Sequence, residues 1–92
     1  MRIVVSYDIS DDKRRRKIAQ IMEGYGYRVQ YSVFECELSR QKLAELRRRL
    51  KPLVDKAKME SVRFYPLTGD AAAKVSVLGH DMARALGVVE IV

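Results

Sequence analysis

A chain of 92 residues has room for one domain around one modest core. With 48% apolar and 33% charged residues it has the composition of a folded globular protein, which excludes a disordered or fibrous chain. The net charge of +6 points to a polyanionic partner, and no apolar run approaches the ~20 residues that cross a bilayer, which excludes a membrane span. Met1-Arg2 opens no signal peptide, so the expectation is a cytoplasmic protein with no membrane partner. Cys36 is the only cysteine and His80 the only histidine. Neither an intrachain disulfide nor a Cys/His zinc site can be built in one subunit, and any metal must be held by oxygen.

In chain order, Arg2 to Asp8 reads RIVVSYD, a β-branched run that predicts a strand. Ser10 is the expected N-cap of a helix whose Asp11 and Asp12 suit the positive end of its dipole and whose Ile18, Ile21, Met22 and Tyr25 recur at helical spacing. Gly24 and Gly26 stop that helix. Tyr27 to Leu38 then alternates, with Phe34, Cys36 and Leu38 on one face. It is either one long strand or two strands meeting at a tight bend near Gln30 to Ser32, and periodicity alone leaves both open.

Ser39 caps a second predicted helix with a narrow stripe of Leu43, Leu46, Leu50 and Leu53. Pro52 predicts a break near Leu50 to Pro52, with any continuation ending by Lys58. Val62 to Leu67 and Lys74 to Leu78 read as further strands, and Val88 to Val92 as an apolar tail strand. The order strand, helix, strand, strand, helix, strand is that of an α+β ferredoxin-like βαββαβ sandwich, here one domain over 1–92 with an additional C-terminal strand. Such a sheet keeps one face open. That face and the spare apolar strand both need cover, and a second copy of the chain supplies it most simply, so a homodimer is inferred.

The basic residues are concentrated: Lys13 to Lys17 reads KRRRK and Arg40 to Lys58 holds eight more, thirteen of the eighteen in all. On helical geometry Arg14 and Arg15 lie within about 60° of the buried Ile18, while Lys13, Arg16 and Lys17 point to solvent. Alone, the run reads as a solvated helix face with two arginines at the core's edge. Two basic helices in one small fold instead form a broad positive surface suited to a duplex backbone. The candidate contacts are Lys13, Arg14, Arg15, Arg16, Lys17, Arg47 and Arg48. No stacking aromatics are evident on these helices, so recognition of single strands is less well supported. Asp8 ends a strand that can be buried, where an unpaired carboxylate is costly unless a cation or donor meets it. One carboxylate binds Mg²⁺ poorly, but two copies of Asp8 across a two-fold axis could share one ion and act on a phosphodiester.

Tyr7-Asp8-Ile9-Ser10-Asp11-Asp12 with KRRRK, then Tyr25-Gly26, then Arg28-Val29-Gln30-Tyr31-Ser32-Val33-Phe34-Glu35, resembles the CRISPR-associated Cas-two family. The likeness continues through Leu38-Ser39 into the basic leucine helix and on to Val62-Arg63-Phe64-Tyr65-Pro66-Leu67, and thins from Asp70 onward. It implies a ferredoxin-like homodimer, split at Gln30 to Ser32, with the tail strand near 88–92 pairing with the partner's sheet. It also implies a spacer-acquisition adaptor that holds duplex DNA and bridges two dimers of the Cas-one integrase. The alternative it implies is a metal-dependent endonuclease for RNA or double-stranded DNA, with Mg²⁺ at Asp8. By position, Tyr7, Asp8, Arg15, Arg28 and Phe34 match residues tied to nuclease function, and Lys17 stands where some members have arginine. Lysine keeps the charge without the planar fork of a bidentate phosphate contact. Taken by themselves, Phe34 reads as a core aromatic and Arg28 as protection of a strand edge.

Overall fold

The computed structural model describes residues 1–82 and 86. The chain runs β1 (Arg2–Asp8), α1 (Asp12–Glu23), β2 (Gly26–Gln30), β3 (Val33–Glu37), α2 (Arg40–Leu50) and β4 (Ser61–Leu67). The sheet is antiparallel in the order β2-β3-β1-β4, with the helices on one face, which is the ferredoxin-like sandwich read from the sequence. Its alternation decides the layers: Ile3, Val5 and Tyr7 of β1 are buried beneath the helices, while Arg2, Val4, Ser6 and Asp8 take the other face. Ile18 and Met22 of α1, Leu46 and Leu50 of α2 and Phe34 of β3 close the core. Each such side chain contributes about 1.5–3 kcal/mol by leaving water.

The long apolar segment is two strands joined at Tyr31 and Ser32, with a register shift between Arg28 and Gln30. Gly26 is required where it stands, since a Cβ there would run into the Glu35 carbonyl and lie 2.6 Å from the Cys36 sulfur. Pro52 ends α2 at Leu50, and two short 3₁₀ turns, Lys51–Leu53 and Lys56–Lys58, carry the chain to β4.

Two expectations are corrected. The N-cap of α1 is Asp11, whose carboxylate accepts from the Arg14 amide at 2.8 Å, and not Ser10. Ser10 is instead a donor to Glu60, and the neighbouring carboxylate, which can only accept, takes the cap. Lys74 to Leu78 is not a strand. A 3₁₀ turn covers Ala71–Lys74, and Val75, Val77 and Leu78 stand exposed without a ladder. Period-two patterning makes a strand only where backbone donors and acceptors meet a sheet edge, and this segment meets none among the described residues. The predicted tail strand Val88 to Val92 lies outside the described residues.

Candidate nucleic-acid interface

The first turn of α1 divides the KRRRK run. Lys13, Arg16 and Lys17 are exposed, whereas Arg14 and Arg15 are half-buried, as the helical angles require. Arg14 is committed to Glu60, whose side chain is only 2% exposed. Both guanidinium nitrogens of Arg14 donate to that carboxylate, one of them at 2.8 Å, and one also reaches the Leu53 carbonyl at 2.8 Å. The Ser10 amide (2.9 Å), the Ser10 hydroxyl (2.6 Å) and the Asp55 amide (3.0 Å) complete five donations to one carboxylate. Arg14, then Ser10, hold the Glu60 pKa well below the ordinary carboxylate range. This knot ties the β1–α1 loop to the start of β4, and Met59 enters it with φ +60°, a left-handed conformation that aims the next residue inward.

The exposed cations border two grooves on the helix side. Lys13, Arg16 and Lys17 line one with Gln20 and Leu53, and Arg47, Arg48, Lys51 and Lys56 rim the other over an apolar floor that includes Val54 and Phe64. Leu53 lines the first groove and Val54 the second, so consecutive residues of one short segment border both. Arg47 lies over the Phe64 ring at 4.9 Å, which fixes its stem without consuming its charge.

At the far end of β1, Tyr7, Arg15, Arg28 and Phe34 converge. Arg28 donates to the Tyr7 hydroxyl at 3.4 Å and lies over the Phe34 ring at 5.2 Å, and the Tyr7 and Phe34 rings are 6.3 Å apart. Arg15 donates to the Ile9 carbonyl at 2.9 Å and pairs with Asp12. Phe34 is fully buried, so it supports Arg28 and Tyr7 from beneath and touches nothing outside. Asp8 does not join this cluster. It follows Tyr7 along the strand and so takes the opposite sheet face, exposed, its carboxylate with no hydrogen bond or ion pair among the described residues. No group of three or more His, Cys, Asp or Glu able to hold a metal occurs among the described residues. Among the described residues a single chain therefore brings fewer than three such ligands to any one place, which does not fit Mg²⁺ unless waters or another molecule supply the rest.

Sequence reasoning missed Glu60 and Tyr31. Glu60 carries no signal, being one acidic residue before a strand. Tyr31 lies in the β2–β3 turn with the guanidinium carbons of Arg15 and Arg28 at 5.9 and 5.8 Å from its ring centre, a meeting of separate elements that no local pattern marks. The buried Cys36 thiol is pushed up to about 11 by desolvation, which keeps it an unreactive core group. No helix among the described residues is long and apolar enough to cross a membrane.

Residues 1–75 match the family model described as CRISPR associated protein Cas2. The CRISPR-associated endoribonuclease Cas2 3 of Synechocystis sp. is 51% identical over 77 residues, 84% of this chain and 83% of the relative. The solved Cas2 structure from Streptococcus pyogenes superposes with a TM-score of 0.74 at 36% identity, covering 86% of this chain and 100% of that one. A chain of a solved partial Cas6-RT-Cas1–Cas2 complex gives a TM-score of 0.67 at 28% identity, over 88% of this chain and 89% of that one. The family-model match over most of the chain, the half-identical relative and the shared fold agree, and the chain belongs to the Cas2 family of CRISPR-associated proteins.

Proposed function

We propose that this chain is a homodimeric adaptor of spacer acquisition, which holds duplex DNA by its phosphates and bridges dimers of the Cas1 integrase. The observation that carries the reading is that Lys13, Arg16, Lys17, Arg47, Arg48, Lys51 and Lys56 are all exposed around two helix-side grooves bordered by the consecutive Leu53 and Val54. Such cations displace counterions from a duplex without reading its bases. The Cas1 partner is supported by the likeness to a chain of a complex that contains Cas1 and Cas2. The dimer is supported by the open sheet face with Val4, Tyr65 and Leu67, and by the exposed Val75, Val77 and Leu78, all apolar surface that a second copy would cover. Replacing Arg16 and Lys17 together by alanine removes four cations from a dimer and should weaken duplex binding regardless of sequence, reducing the log-affinity against log-salt slope by up to about 4. An unchanged slope would sink the reading.

A second reading, a Mg²⁺-dependent endonuclease for RNA or double-stranded DNA, is favoured by one observation. The exposed Asp8 carboxylate has no partner among the described residues, and two copies of it would share one ion. The relative from Synechocystis sp. carries the name endoribonuclease. Asp8→Ala separates the readings: spacer acquisition persists if the chain is an adaptor, and metal-dependent cleavage vanishes if it is a nuclease.

A further inference from the structure

Tyr31 is 70% exposed at the tip of the β2–β3 turn, so its ring contributes little to the core. It is also the aromatic around which Arg15 and Arg28 gather, each near the outer limit of about 6 Å for a cation over a ring. Beside it runs a groove of 420 Å³ lined by the cations Arg15, Arg16 and Arg28 together with Tyr7, with Asp12, paired to Arg15, and Glu23 as its acidic members. Arg16 and Gln20 line both this groove and the basic groove on the other flank of α1. A strand held by its phosphates along α1 can therefore pass into the Tyr31 groove by way of Arg16.

We propose that Tyr31 is a stacking platform for one unpaired nucleobase, with Arg15 and Arg28 gripping the phosphate beside it. This inference rests on the phosphate-holding reading above and sharpens its ligand, from a plain duplex to a duplex next to an unpaired end. A base inside a duplex keeps its faces covered by its neighbours, whereas a base beyond the last pair has a free face for a ring. Tyr31 receives one base only, because the adjacent Tyr7 and Phe34 rings are 4% and 0% exposed. Stacking of this kind is tolerant of sequence, since every base has a π face.

The test compares three ligands of equal duplex length: a blunt duplex, the duplex with a thymidine overhang, and the duplex with an abasic overhang carrying the same phosphates. The native chain should bind the thymidine overhang about 5- to 150-fold more tightly than the abasic one, the range that stacking of one base supports. Tyr31→Ala should bring that ratio to about one, while Tyr31→Phe, which keeps the ring, should retain it. The sequence contains no tryptophan, so Tyr31→Trp installs a single reporter whose emission should be quenched by the thymidine overhang and not by the abasic one. A native-like ratio in Tyr31→Ala, or an indole emission unmoved at saturation, overturns the assignment. If the native chain ignores the blunt duplex yet prefers thymidine to abasic single strands, the duplex-holding reading falls and the Tyr31 platform stands.

Discussion

Glu60 and Asp8 stand at neighbouring strand ends, because Ser61, the residue after Glu60, pairs with Asp8 across the sheet. Glu60 is buried and accepts five hydrogen bonds, two of them from a guanidinium. Asp8 is exposed and accepts none from the described residues. The same division runs through the basic run, where Arg14 completes Glu60 and Arg16 faces solvent. A charge whose partners lie within the chain belongs to the fold, since its removal leaves the other partner desolvated and unpaired. A charge left open at the surface is held by water and stays available to a group from outside, so these two carboxylates differ in their commitment to the fold within one strand width.

The largest effect should come from the closed side. Glu60→Gln removes the negative charge while Arg14 stays half-buried, and should lower the Tm by at least about 10 °C by calorimetry, whereas Asp8→Ala should stay within about 3 °C of the native chain. Equal losses in the two variants would break the comparison. Acid sharpens it. Because the folded-state pKa of Glu60 is depressed, its contribution is complete above the ordinary carboxylate value of about 4.3 and is lost as pH falls below that toward the folded value. The native Tm should therefore fall steeply below about pH 4, and Glu60→Gln should show a flatter acid limb. The smallest effect concerns the turn that aims Glu60 inward. A left-handed non-glycine residue costs about 1–2 kcal/mol and glycine's extra freedom when unfolded returns about half of that, so Met59→Gly should raise stability by up to about 1 kcal/mol, read from the urea midpoint.

The layers of the fold were legible because they rest on period. Alternation in Ile3, Val5 and Tyr7, the helical spacing of Ile18, Ile21 and Met22, and the break at Pro52 each specify a local geometry that tertiary contacts reinforce. The split at Tyr31 and Ser32 was not decided by period, since a strand and a hairpin share it, and came from family resemblance. Lys74 to Leu78 has the alternation of a strand but no edge to join, and pattern carries no information about edges. Ser10 and Asp11 are both good caps, and the choice between them was settled by Glu60, fifty residues further on. In the candidate site, helical angles were enough to turn Arg14 and Arg15 inward and Arg16 and Lys17 outward. They could not show that Arg14 ends on Glu60, or that Tyr31 meets Arg15 and Arg28, because those meetings depend on how β1, α1 and the β2–β3 turn assemble.

The claim on which the rest depends is that two copies of this chain together hold one duplex on their outward-facing cations. Sedimentation of the protein with a labelled duplex at low salt tests it directly, since mass and binding are read in one run. The account predicts two chains on each duplex, with release as salt rises. A species at the mass of one chain across the concentration range, sedimenting apart from the duplex, would contradict it.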